Sequence, residues 1–439
     1  MEQENFFIEN KSILSFFILE LIALIAFNFG NISHALIFVG ALLAILGTFI
    51  LLKITSNKKG LLPLLIPVGL LTICSVIAAT NGYSKIDGKF GFSDITLLLA
   101  IPSFFMLGFL VKSFKDTKTS SVILVIGAAL GAITLFGLFS TLISYGFYYK
   151  VIYKNSPNYY YCGSVFDVTK EMYWLSGFEF KEVSINYGSL FALLSACYLP
   201  GLLFVNHKEN KNEFLAMLAI GLVGLLTLIV IPNVLALIVL VVASVGALIF
   251  KYFSNNKKLI KTIKIGLFVL AGLALIFFVL AIINVGNSYK FPGILNRIFV
   301  QNGIMQKVNP VLEAAIKGKN LFGLQPLLEN ENVIYQDSGV FEVQLLKELG
   351  IIGTVVFILF LVFMLVKLFS YLKNSDDPKS VKAILMTLIF GFFIYESIAN
   401  TIAPYTHEEI IMSFLGSPIL YVMIFLLGFM FTCEKKEGK

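Results

Sequence analysis

The chain is poor in charge: only 13% of its 439 residues are Asp, Glu, Lys or Arg, about half the fraction of an ordinary soluble domain. Arginine is nearly missing, since Arg297 is the single one among 33 basic residues. The four cysteines, Cys74, Cys162, Cys197 and Cys433, include no C-x-x-C pair, and a lone outer-loop Cys162 has no intramolecular disulfide partner there. His34, His207 and His407 fall in three separate loops or helix ends, which excludes a zinc site at ligand spacing. Neither G-x-x-x-x-G-K-[ST] nor a strand followed by G-x-G-x-x-G is present, so ATP hydrolysis and dinucleotide chemistry are not expected. No cofactor and no preformed metal site are expected either.

What the chain has in excess is apolar sequence: 58% hydrophobic residues and a mean hydropathy of +0.89. Apolar runs recur from end to end, each long enough to cross roughly 30 Å of hydrocarbon as a helix. A spanning β-barrel would need alternating positions, and these runs are apolar on every face. The expected class is therefore all-α, a single polytopic membrane domain over 1–439 with about twelve transmembrane helices. Helices are read near 13–29, 34–52, 61–80, 95–111, 121–144 and 187–205, then 213–230, 233–250, 264–284, 350–366, 383–403 and 411–432. The first run follows an acidic start and lacks a small-residue cleavage site, so it reads as a retained helix rather than a signal peptide.

The connections alternate in character. Short lysine-bearing ones, such as KITSNKKG at 53–60, NHKENKNE at 206–213 and KLFSYLKNSDDPKSVK at 367–382, share a side with the tail EKKEGK. The others are much longer in total yet hold the minority of the basic residues, and include two long loops, 146–186 and 285–347. The positive-inside rule then puts both termini and the lysine loops in the cytoplasm. The net charge of +7 becomes a topology signal with a contact to membrane lipids, and no nucleic-acid partner is expected. Both long loops are rich in aromatics and short apolar segments, which argues for order and function. Short amphipathic helices are expected in them, one within NPVLEAAIKGKNLFGLQPLL at 309–328, starting at Asn309-Pro310 and ended by Gly318.

Candidate chemistry concentrates in the second loop. A guanidinium holds two phosphate oxygens at once, which lysine cannot, so Arg297 is a candidate phosphate contact; an interfacial anchor is the other reading. On a helix, Asp337, Phe341, Gln344 and Glu348 fall on one face. Asp337 also suits a helix cap. In the first loop, Trp174, the only tryptophan, is a candidate for stacking on a sugar; several neighbouring aromatics suit an interfacial belt. His407, beside Glu408 and Glu409, is either a solvated turn or a histidine charged by a carboxylate. Glu20 and Glu396 lie inside apolar runs. An acid at mid-membrane costs about 2.5–3.5 kcal/mol on insertion scales, so each should face the bundle interior. Glu396 could line an outward cavity.

Arg297, then N-L-F-G at 320–323, then D-S-G at 337–339, then K-E-L-G-I-I-G at 347–353 together resemble the O-antigen polymerase and O-antigen ligase superfamily. The resemblance covers roughly 297–366 and agrees elsewhere in topology. Where ligases show H-N this chain has Asp337-Ser338, closer to the polymerases. A second arginine usual after helix seven is replaced by Ile231-Pro232-Asn233, so Lys170, Lys181 or Lys290 would supply any second phosphate contact.

The resemblance implies an outer-face glycosyltransferase that polymerises repeat units of a cell-surface polysaccharide in a bacterial cytoplasmic membrane. Its donor would be an undecaprenyl-pyrophosphate-linked oligosaccharide; a chain-length regulator is left open as a partner. Arg297 would hold the pyrophosphate, with Asp337 as base and Glu342 and His407 behind it. Lys170, Lys181, Trp174, Gln344, Glu348 and Glu396 would contact substrate. A ligase acting on another acceptor, and a lipid-linked oligosaccharide flippase, are the alternatives. The abundance of Lys, Asn, Ile and Phe over Arg suggests an AT-rich genome.

Overall fold

The computed structural model describes residues 58–80, 92–113, 118–145, 172–176, 179–183, 185–208, 210–230, 233–253, 321–322, 341–397 and 418–431, with isolated positions 42, 45 and 265. The helix expected over 13–29 lies outside these residues, as do those over 34–52 and 264–284 apart from the isolated positions, and the stretch 309–328 apart from the turn at Leu321 and Phe322.

Nine α-helices are present among the described residues: α1 (Lys58–Thr80), α2 (Phe92–Ser113), α3 (Thr119–Tyr145), α4 (Ile185–Ala196), α5 (Lys211–Val230), α6 (Val234–Phe253), α7 (Phe341–Asn374), α8 (Lys379–Glu396) and α9 (Pro418–Phe429). The expected run 187–205 is broken. After α4 the chain tightens into a 3-10 segment, Leu199–Phe204, whose first turn carries Pro200. Proline has no N–H to continue the α ladder, and the shorter repeat accommodates it.

One element departs from a purely helical reading. In the first long loop the chain forms a two-stranded antiparallel hairpin, β1 (Met172–Ser176) with β2 (Glu179–Val183). Short amphipathic helices were expected there. Bulky aromatic and branched residues recur at short intervals in MYWLS and EFKEV, a composition that suits a pleated pair better than a helix. β1 lies alongside α3.

Two helices among the described residues, Lys211–Val230 and Leu349–Asn374, are long and apolar enough to cross a membrane, with mean hydropathies of 2.4 and 3.0. Their neighbours are shorter apolar helices. The outside of the bundle is apolar as well: Leu226 and Ile229 on α5, and Ile238, Val241 and Val242 on α6, are all half exposed or more. Water does not favour such a surface; hydrocarbon does.

Inside, the helices approach through small residues. A Cβ on Gly108 of α2 would collide with the Phe425 carbonyl of α9, and one on Gly428 with the Phe105 carbonyl. The two glycines let these helices touch backbone to backbone, and Phe104 stacks on Tyr421 with centroids 5.5 Å apart. Gly224 of α5 plays the same part against Ala192 and Ala196 of α4. α8 fills the centre, buried along most of its length and packed on α6, α4 and the 3-10 segment.

Candidate functional site

The bundle has two chemically different ends. At one end, the last turns of α2, α6 and α7 meet the first turns of α3, α5 and α8. Asp377, in the turn between α7 and α8, accepts from Lys112 Nζ and Thr119 Oγ1 (2.8 Å) through one oxygen. Its other oxygen accepts from Tyr371 Oη at 2.6 Å and Ser375 Oγ at 2.8 Å. Lys382 donates to the Leu372 and Ser375 carbonyls and so caps α7. Ser380 donates to Glu213 at 3.2 Å. Lys251 donates to the Leu203 carbonyl with its ammonium over the Phe204 ring, and Lys367 sits over Phe363 and Phe431. These lysines lie along apolar stems with their charges at the helix ends, as interfacial lysines do.

The opposite end carries a smaller buried polar group. Asn233 precedes α6, and its Oδ1 accepts the Ala236 N–H at 3.0 Å, a helix N-cap. Its Nδ2 donates to Tyr395 Oη at 2.8 Å. Ser189, near the start of α4, is the other neighbour of that hydroxyl. Glu396 follows at the end of α8 and is 2% exposed. The expectation that Glu396 faces the bundle interior is met.

The third feature is a break in α7. Gly350, in K-E-L-G-I-I-G, has φ 63° and ψ −170°, which splits the helix into 341–349 and 351–374. Glycine alone adopts that conformation without a Cβ penalty. Gly350 thereby becomes the N-cap of the second half, but it has no side chain to satisfy the next amides. A main-chain group does so instead: the Ile352 N–H donates to the Leu321 carbonyl at 3.0 Å. Leu321 belongs to N-L-F-G. The second glycine of the motif, Gly353, has a different reason. Its Cβ would lie 2.6 Å from Leu349 Cβ and 3.2 Å from Ile77 Cδ1, so it seats α7 against α1.

Among the residues expected in the site, Glu342, Gln344 and Glu348 lie on the half-helix 341–349, with Phe341, Gln344 and Glu348 at one-face spacing. Trp174 of β1 and Lys181 of β2 are direct partners in the hairpin register. Arg297, Asp337, His407 and Lys170 lie outside the described residues. Among the described residues no group of three or more His, Cys, Asp or Glu could hold a metal.

Sequence reasoning passed over Asn233, Tyr395 and Asp377. Asn233 had a usable signal, an asparagine directly after proline and before an apolar run. Asp377 looked like one charge in a solvated loop, because its partners Lys112 and Thr119 are far away along the chain. No protein-family model, no curated protein and no solved structure matches the chain.

Proposed function

We propose that this chain is an outer-face glycosyltransferase that polymerises undecaprenyl-pyrophosphate-linked repeat units of a cell-surface polysaccharide, as a multi-pass protein of a bacterial cytoplasmic membrane. The observation that carries the reading is the hydrogen bond from Ile352 to Leu321. It joins the N-L-F-G segment, downstream of Arg297, to the glycine break that ends the half-helix bearing Glu342, Gln344 and Glu348. Two stretches of the motif resemblance are thus in contact. The lysine-rich end of the bundle lies away from this break, which suits a substrate site on the face opposite the cytoplasm.

The chemistry proceeds without nucleotide. An acceptor-sugar hydroxyl attacks the anomeric carbon of the donor chain and gives its proton to Asp337, with Glu342 and His407 as the other candidate bases. The anomeric C–O bond breaks and its electron pair leaves on the undecaprenyl pyrophosphate. That growing charge is met by the Arg297 guanidinium, with Lys170 or Lys181 as a second cation. Trp174, Gln344, Glu348 and Glu396 contact the sugars or line the path to them. Orientation with both termini in the cytoplasm follows from the same reading.

The test compares surface polysaccharide, resolved by size, in cells carrying the wild type, Arg297→Lys and Asp337→Asn at equal membrane levels. Loss of long chains with single lipid-linked repeats accumulating on the outer face is expected for both variants. Single repeats trapped on the cytoplasmic face would instead identify a flippase, and free polymer that no longer reaches its final acceptor would identify a ligase. Unchanged long chains would remove both residues from the site.

A further inference from the structure

The break at Gly350 leaves a mark four residues later. Six of the described hydroxyl side chains in this bundle return to the carbonyl one turn back: Thr72 to Val68, Ser75 to Leu71, Thr134 to Leu130, Thr227 to Val223, Thr387 to Ala383 and Ser397 to Phe393, at 2.8–3.0 Å. Other hydroxyls, such as Ser195 and Ser380, bond a side chain instead, but Thr354 does neither. It is 2% exposed, and its Oγ1 is buried with no hydrogen-bond partner. The residue one turn back is Gly350, where ψ of −170° takes the chain out of helical geometry.

Ile352 shows the same displacement in its amide. In an unbroken helix that N–H would donate to the Glu348 carbonyl; here it donates to Leu321. Straightening α7 through Gly350 would return both groups to ordinary partners, Ile352 N–H to Glu348 and Thr354 Oγ1 to Gly350. Against straightening stand the Leu321 carbonyl, the seat of Gly353 against Leu349 and Ile77, and the Cys74 thiol on the Gly353 carbonyl at 3.8 Å. Glycine is at ease in both conformations. A helix whose two forms differ by a swap of hydrogen-bond acceptors is a bistable element.

We infer that α7 is a latched two-state helix: the Leu321 carbonyl holds it bent, and withdrawing that carbonyl lets it straighten and swing the half-helix 341–349. The moving segment carries Glu342, Gln344 and Glu348, so whatever draws Leu321 toward or away from α7 reorients two carboxylates and an amide. The device does not depend on the polymerase reading, and its test reads helix geometry rather than activity.

Two substitutions at opposite ends of one helical turn should push the equilibrium in opposite directions. Gly350→Ala disfavours the positive φ and favours the straight form, changing the ratio of forms by about tenfold. Thr354→Val removes the orphaned hydroxyl and favours the bent form by a similar factor. Nitroxide labels at Val343→Cys and Leu359→Cys bracket the break in the full-length protein in lipid nanodiscs. Cys162 and Cys433 are replaced by serine, while Cys74 and Cys197 are buried. Pulsed dipolar spectroscopy should show two distances in the parent, the longer near the roughly 24 Å of a straight helix over sixteen residues. The longer component should grow in Gly350→Ala and shrink in Thr354→Val. A single unchanged distance in all three, or both substitutions shifting it the same way, overturns the inference. If Gly350→Ala does not fold, the parent and Thr354→Val decide it: two distances with the longer one depleted by valine support it, and one distance in both sinks it.

Discussion

Ile352 and Leu321, separated along the chain by a segment that carries Asp337, are joined by a main-chain hydrogen bond of 3.0 Å at the break in α7. Because the acceptor is a carbonyl, the contact depends on where the loop runs and not on the Leu321 side chain. Leu321 is itself about half exposed. The contact thus ties loop position to helix shape, and it gives the two glycines of K-E-L-G-I-I-G separate duties.

Gly353 is where α7 meets α1. With Leu349 Cβ 2.6 Å and Ile77 Cδ1 3.2 Å from a modest added methyl, Gly353→Ala should destabilise the protein by about 1–3 kcal/mol through overpacking. Thermal unfolding in detergent measures this, and an unchanged midpoint would show that α1 and α7 can separate at little cost.

Gly108 should be less forgiving than Gly353. Its added Cβ would strike the Phe425 carbonyl, a backbone atom that cannot rotate aside. Gly108→Ala should cost at least the upper part of the same range of about 1–3 kcal/mol, with Gly428→Ala alike. The two glycines serve one interface, so the double variant should lose less than the sum of the singles. Strict additivity would place them in independent contacts.

Asn233 and Tyr395 form a pair that a double-mutant cycle can resolve. Asn233→Ala removes the cap of α6, worth about 1 kcal/mol, and takes from the buried Tyr395 hydroxyl one of its hydrogen-bond partners, leaving Ser189. Tyr395→Phe leaves the Asn233 Nδ2 without its acceptor. A coupling energy of about 0.5–3 kcal/mol is expected; a value near zero would mean that the two side chains do not depend on each other.

Asp377 predicts an acid limb. Burial by itself would raise its carboxyl, but hydrogen bonds from Lys112, Tyr371 and Ser375 outweigh burial and hold it below the ordinary carboxylate range. A carboxyl lowered on folding adds stability that is fully present above its unfolded value, near pH 4, and is lost as pH falls through its folded value. Wild-type unfolding temperature should therefore drop below about pH 4, and Asp377→Asn should flatten that drop. Equal acid limbs in both proteins would show that other carboxylates control it.

How much of this was legible beforehand can be read from particular residues. The apolar runs of α1, α2, α3, α5 and α6 declared themselves within a few residues of their ends, because an apolar stretch between lysine-bearing turns is a local property. Pro200 broke its helix for a local reason too, although the run was read as continuous. The hairpin at 172–183 was missed because aromatic-rich segments suit an interfacial helix as well as a strand, and pairing between the two segments decides between them. Glu396 was expected to face inward on cost alone, and it does.

By itself the sequence determined the helical class, the apolar segments and the concentration of lysine in alternate connections. These rest on composition and spacing, which act over a few residues. Only the tertiary structure decided that Asp377 gathers Lys112 and Thr119, that Asn233 holds Tyr395, that Thr354 loses its acceptor, and that Leu321 caps the break at Gly350. Each of those depends on groups distant in the chain meeting within hydrogen-bonding distance, and helix packing sets such meetings.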